Sequence, residues 1–171
     1  PVPFRVRPLG IHALEPTDRD SLLAFQRRVG ELQRAAMGAD EVLGEVLERI
    51  EKMRDAVKRA PDADYALMDD IRALELEALE IRDVLRGDPT KSRRDEPAMP
   101  GILDRIGRVA FGSFNNTQAP TGTQHRSLEV AASEYDELEE RLRTLVEEDL
   151  AAVEQALEEA GAPWTPGQGV P

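Results

Sequence analysis

The chain has 171 residues, 40 % hydrophobic and 33 % charged, which is the composition of a folded domain rather than of a membrane-embedded or disordered chain. Its 34 acidic and 22 basic residues give a net charge of −12, which disfavours nucleic acid as a partner because the phosphate backbone is also negative. No apolar run reaches the roughly 20 residues that a bilayer span requires. Without cysteine there is no disulfide, thiolate nucleophile or cysteine-based metal site.

The first segment, residues 1–16, contains prolines at four positions and therefore does not favour a helix. Phe4 and Val6 alternate with Arg5 and Arg7, which is the pattern of a short strand. Because a lone strand needs a partner, we expect either the last strand of a preceding β-domain or an arm that lies on another surface. The chain begins at Pro1 without an initiator methionine or a signal peptide, which favours a mature product or a fragment of a longer protein.

A long first helix is predicted from Thr17 to Ala60, opening with a capping box formed by Thr17 and Asp20. Its apolar residues recur at alternating spacings of three and four, as in a coiled-coil seam. At 1.5 Å per residue the helix would extend roughly 66 Å. The predicted seam consists of Leu22, Phe25, Val29, Leu32, Ala36, Ala39, Leu43, Val46, Ile50, Met53 and Val57.

Three glycines interrupt this helix, and each costs about 1 kcal/mol relative to alanine in a helix interior. We expect Gly30, Gly38 and Gly44 to permit a bend or the close approach of another helix. A second helix is predicted over 64–86, and the short connection around Pro61 predicts that it folds back antiparallel on the first. Its seam is Leu67, Ile71, Leu74, Ala78, Ile81 and Leu85.

The segment that follows, 87–100, is predicted to be a loop and carries the dense basic cluster Lys91, Arg93 and Arg94. A short helix is expected over 102–111, and another loop over 112–119. The last long helix is expected to run to about Ala160 after a capping box formed by Thr121 and Gln124. Its seam contains extra residues at one point, a stutter that locally unwinds a supercoil. That seam is Leu128, Ala131, Tyr135, Leu138, Leu142, Val146, Leu150, Val153 and Leu157.

Catalytic and metal-binding patterns are weak in this sequence. His12 and His125 lie in different segments without a carboxylate at metal-ligand spacing, so both favour structural or solvent-exposed roles. The acidic runs of the last helix lack the Glu-x-x-His pairs of a di-metal bundle and favour a solvated helix face. No serine has the setting of a nucleophile elbow. We therefore expect no catalytic residue, no cofactor and no metal site.

These patterns together predict an all-α fold. We expect an elongated antiparallel helical bundle of three long helices and one short helix, with an extended N-terminal arm and a tail rich in Pro and Gly. The expected units are residues 1–16 as the arm or remnant strand, 17–161 as the bundle, and 162–171 as the tail. The positions expected to bind a partner are Phe4, Arg5, Arg7, Arg93, Arg94 and Trp164.

The part of the chain after Phe111 resembles the C-terminal end of large secreted bacterial proteins with sortilin-like (BNR-repeat) β-propellers. Ala119-Pro120-Thr121-Gly122-Thr123-Gln124 is similar to a recurrent helix start in that family, and Gly161-Ala162-Pro163-Trp164-Thr165-Pro166 to its closing segment. Residues 4–8, followed by a long helix, are similar to the passage from the family's last β-domain into its helical end. The resemblance implies export to the periplasm or cell surface and an accessory helical region, and no catalytic residue is transferred from it.

The expected function is that of a non-catalytic structural or interaction subunit of an exported protein, which holds together components of a larger assembly. An extrinsic periplasmic subunit of a membrane complex is one form of this hypothesis, and a photosynthetic reaction centre with its antenna is one such complex. The first alternative is a C-terminal spacer or sorting domain of a secreted β-propeller protein. The second is a hydrolase-associated domain. The expected partners are other proteins.

Overall fold

The computed structural model describes residues 2–6, 19–60, 64–115, 118–163 and 165. This part of the chain forms α-helices and one π-helical turn and contains no β-strand, which confirms the all-α prediction. The helices are α1 (Arg19–Val57), α2 (Tyr65–Arg86), α3 (Pro89–Arg93), α4 (Ile102–Phe114), α5 (Gly122–Thr144) and α6 (Leu150–Glu159), and the π turn is Leu145–Asp149.

The longest helix, α1, has 39 residues and would span about 58 Å at 1.5 Å per residue. Helices α2 and α4 both run antiparallel to it and cover successive stretches of its length. Three side-chain contacts establish this direction, because the residue number of the partner rises as the number in α1 falls. These contacts are Arg54 with Glu75, Asp40 with Arg86, and Gln26 with the Ser113 carbonyl.

The last helix runs back along the bundle, parallel to α1. Helix α5, the π turn and α6 form one continuous helix, because the residues at both junctions keep α-helical backbone angles. The ring of His125 packs edge-on against Phe25, and Glu154 pairs with Arg49, so both numbers rise together along the two helices. The result is a three-helix bundle. Its first helix is α1, its second is formed by α2 and α4 one after the other, and its third is formed by α5, the π turn and α6.

The predicted seams form the core. Every predicted seam residue of α1 is buried except Leu32, which is partly buried, and all six of α2 are buried. In α4, Ile102, Ile106 and Val109 are buried, whereas Leu103 is only partly buried. Because α4 covers the stretch of α1 that α2 does not reach, the core of the described bundle is closed by its own helices.

The stutter in the last helix is present, but it places a different residue in the core. The sequence predicted Val146 in the seam, whereas Leu145 is 1 % exposed and Val146 only partly buried. The Leu150 N–H donates to the Leu145 carbonyl, five residues back, so the π turn brings Leu145 and Leu150 onto the same face. The extra residue is thus absorbed within one turn.

The boundaries of several elements differ from the sequence prediction. Helix α1 ends at Val57, three residues before the expected Ala60. The expected loop 87–100 contains the short helix α3, which the Asp88 side chain starts by accepting from the N–H groups of Thr90 and Lys91. Helix α4 continues to Phe114, three residues beyond the expected end. The capping box of Thr121 and Gln124 forms as predicted.

The ends of the chain are described only in part. Residues 2–6 form no regular element, and the side chain of Phe4 is 87 % exposed. The predictions for Arg7, His12, Thr17 and Trp164 concern residues outside the described part of the chain. Within the described part, no helix combines the length and apolar character that crossing a membrane requires.

Candidate partner-binding surface

A wide cleft lies where α2 ends and α4 begins. We call this region, residues 82–108, the corner. Gly87 ends α2 with a positive φ of 85°, which favours glycine, and its N–H donates to the Asp83 carbonyl at 2.8 Å. Buried Gly101 then starts α4 directly against the end of α2. A side chain at Gly101 would overlap the Gly87 amide and come within 2.8 Å of the Leu85 carbonyl oxygen.

The cleft has a volume of about 950 Å³ and is lined by both charged and apolar groups. Its wall includes exposed Met99, of which 78 % is accessible, next to Pro97 and Pro100. Such a mixed opening is large enough to receive several side chains of another protein. It also lies on the connection between helices rather than on their packed faces.

The arginines of the corner fall into two groups. Arg86 is held by both carboxylate oxygens of Asp40, each at 2.5 Å, and this hydrogen bonding raises the pKa of the guanidinium. Arg82, Arg93 and Arg108 line the same cleft and form no ion pair with any described residue. These three cations are therefore free to bind a carboxylate or another acceptor from outside.

The carboxylates of the corner also fall into two groups, those with a partner among the described residues and those that form no ion pair there. Asp88 caps α3, and the backbone N–H groups of Lys91 and Thr90 lower its pKa. Glu96 pairs with Arg94 at 3.6 Å. Asp83, Asp95 and Asp104 form no ion pair among the described residues, although all three line the cleft. The surface can thus make charged contacts of both signs, which favours specificity over simple attraction.

Two of the six positions expected from sequence to bind a partner come together here. Arg93 lines the cleft, and Arg94 follows it at the exposed end of α3. Phe4 and Arg5 lie in the exposed N-terminal segment, which makes no hydrogen bond or ion pair with the described bundle. Arg7 and Trp164 lie outside the described residues. Arg82 and Arg108 were not predicted, because only the packing of α4 against α2 brings them to Arg93.

The residues considered for catalysis do not converge in the described structure. His125 is exposed, and its ring centroid lies 4.7 Å from that of Phe25. Ser113 is buried and donates to the Ala110 carbonyl at 3.4 Å. No group of three or more histidine or acidic side chains in the described part is arranged to hold a metal ion.

The last helix presents a second, strongly acidic surface. Residues 122–159 contain twelve carboxylates and three arginines. Five of these carboxylates accept hydrogen bonds or form ion pairs with arginine or glutamine side chains, whereas the other seven form no ion pair among the described residues and are exposed. Those seven are Glu129, Asp136, Glu137, Glu147, Glu148, Asp149 and Glu158.

Comparison with known proteins gives no further assignment, since no family model, no curated protein and no solved structure matches this chain.

Proposed function

We propose that this chain is a non-catalytic structural or interaction subunit of an exported protein, and that it holds together components of a larger assembly. The corner carries the proposal, because it combines an open cleft, three uncommitted arginines and an exposed methionine on a rigid bundle. Arginine and methionine are both enriched at protein interfaces relative to the rest of the protein surface.

The bundle suits this role because the contacts among its helices fix the position of the corner relative to the last helix. Ion pairs tie α1 to α2 at Arg54 and Glu75 (2.6 Å) and to α6 at Arg49 and Glu154 (2.5 Å). A partner that binds at the corner would therefore be held at a set distance from anything bound at the acidic last helix. That is the geometry of a spacer between components rather than of a flexible linker.

The location and the host complex are part of the same proposal. The resemblance to the helical end of secreted β-propeller proteins supports export to the periplasm or cell surface. An extrinsic subunit of a membrane complex, such as a photosynthetic reaction centre with its antenna, is the form of assembly that we propose for it.

The test is purification of the native protein from its source at moderate salt, followed by mass spectrometry of everything that remains bound. We expect a defined set of partner proteins at constant stoichiometry. The variant Arg82→Ala/Arg93→Ala/Arg108→Ala should lose that set. The matched control Arg19→Ala/Arg28→Ala/Arg126→Ala removes three exposed arginines away from the corner and should retain it. Recovery of the chain alone, or only within a full-length propeller protein, would contradict the proposal and favour a spacer domain.

A further inference from the structure

One exposed face of α1 contains glycines that the bundle itself does not explain. A Cβ atom added at Gly30, Gly38 or Gly44 would meet no heavy atom within 4 Å, so the expected close approach of another helix is absent from the described structure. Each glycine nevertheless lowers the stability of a helix interior relative to alanine. A contact from outside this chain would account for them, since glycine lets two helices approach closely.

Two of these glycines belong to a row with heptad spacing. Leu23, Gly30, Met37 and Gly44 follow one another at intervals of seven, which places them on one side of α1. Leu23 is 44 % and Met37 is 56 % exposed. Met37 lies midway between the two glycines, so Gly30 and Gly44 are symmetric about it, whereas the position symmetric to Leu23 is occupied by Glu51.

A row of charged residues lies beside the first, four positions further along the helix. It consists of Arg27, Arg34, Glu41 and Glu48, again at intervals of seven. All four side chains are exposed, and none forms an ion pair with a described residue. The positive half and the negative half of this row meet between residues 34 and 41, close to Met37.

This arrangement is complementary to itself in one orientation. If a second α1 lies antiparallel across Met37, Arg34 faces Glu41 of the second copy and Arg27 faces Glu48 of the second copy. The two symmetry-related pairs form at the same time, and Gly30 meets Gly44 of the second copy. A parallel twofold alignment would instead place the two charged rows on opposite sides of the contact, so these pairs would not form.

We propose that the chain forms a twofold homodimer through this face of α1, with the two helices antiparallel and Met37 near the axis. The glycines bring the helices close, the methionines fill the centre, and the charged row sets the orientation. The second copy is the occupant that the charge pattern selects, because both halves of the complementary row are already on one helix. This inference does not depend on the proposed function, since it needs no other protein.

The test is sedimentation equilibrium of the purified full chain over a wide concentration range, at low and at high salt. We expect the wild-type chain to associate to a dimer whose affinity falls as salt rises. The variants Arg27→Glu/Arg34→Glu and Glu41→Arg/Glu48→Arg should each dimerise about tenfold more weakly or not at all, because every pair becomes repulsive. An equimolar mixture of the two should recover a heterodimer.

The glycines provide a second readout that a purely structural role would not give. Gly30→Ala/Gly44→Ala should raise the unfolding temperature of the monomer, since both sites are open, while it weakens the dimer. Glu129→Arg, on α5 and outside the face, should leave association unchanged. A wild-type chain that stays monomeric, or charge variants that associate like the wild type and do not pair in the mixture, would overturn the proposal.

Discussion

The corner and the π turn interrupt the regular bundle in different ways. At the π turn one extra residue is absorbed by a shift of the hydrogen bonds, and the buried face continues from Leu145 to Leu150. At the corner, α2 ends at Gly87 and α4 begins after Gly101, and the segment between them leaves the helical bundle. The short interruption thus leaves the core intact, whereas the long one opens a cleft lined by charged side chains, several of which form no ion pair among the described residues.

The contrast between the π turn and the corner is tested most severely by deleting single residues from the last helix. Deleting Glu137 should lower the free energy of unfolding by about 4 kcal/mol or more, because Leu138, Leu142 and Leu145 rotate out of the core. Deleting Glu147 should change it by less than about 1 kcal/mol, because the π turn becomes α-helical and Leu145 still faces the core. Urea unfolding of both variants measures the difference. Equal losses would show that the π turn does not absorb one residue.

The packing of the corner is tested by a side chain at Gly101. Gly101→Ala should lower the free energy of unfolding by about 2 to 3 kcal/mol, since the new Cβ would overlap the backbone at the end of α2. Gly107→Ala, in the same helix but facing open space, should instead raise it by up to about 1 kcal/mol. Chemical denaturation of the pair gives the comparison. A neutral Gly101→Ala would mean that α4 does not rest on α2 in this way.

Ion pairs tie the corner and helix α6 to α1, and the burial of the two pairs differs. Double-mutant cycles should give about 1 to 2 kcal/mol for Arg49 with Glu154, whose side chains are 25 % and 14 % exposed. For Arg86 with Asp40, at 59 % and 20 %, the coupling should be about 0.5 kcal/mol, because solvent screens the more exposed guanidinium. A stronger coupling at the corner than at α6 would contradict this ranking.

The smallest expected effect is on the pH dependence of stability in acid. The hydrogen bond from Arg54 and, to a smaller extent, the hydrogen bond from Arg72 lower the pKa of Glu75 in the folded protein. A lowered folded pKa adds stability above the unfolded value, about 4.3, and that stability is lost as the pH falls through the folded pKa. Glu75→Gln should therefore lower the unfolding temperature at neutral pH and weaken its dependence on pH below about 4. Glu129→Gln, exposed and outside any ion pair, should leave the profile unchanged.

Much of the fold could be predicted from the sequence because helical periodicity and caps are local properties. The spacing of Ile71 and Leu74 and the capping box at Thr121 fix buried faces and helix starts without knowledge of the rest. The choice of Leu145 over Val146 could not be read this way, since both are apolar and only the hydrogen-bond shift separates them. The corner was predicted only at Arg93 and Arg94, because Arg82 and Arg108 reach the cleft through the contact of Gly101 with α2.

The most direct test of the corner as a partner-binding surface is site-specific photo-crosslinking in cells of the source organism. A photoreactive residue placed at Met99, on the rim of the cleft, should give an adduct with a defined partner protein. The same residue placed at exposed Gly107, outward on α4, should give none of that adduct. No adduct at Met99, or the same adducts at both positions, would contradict the account.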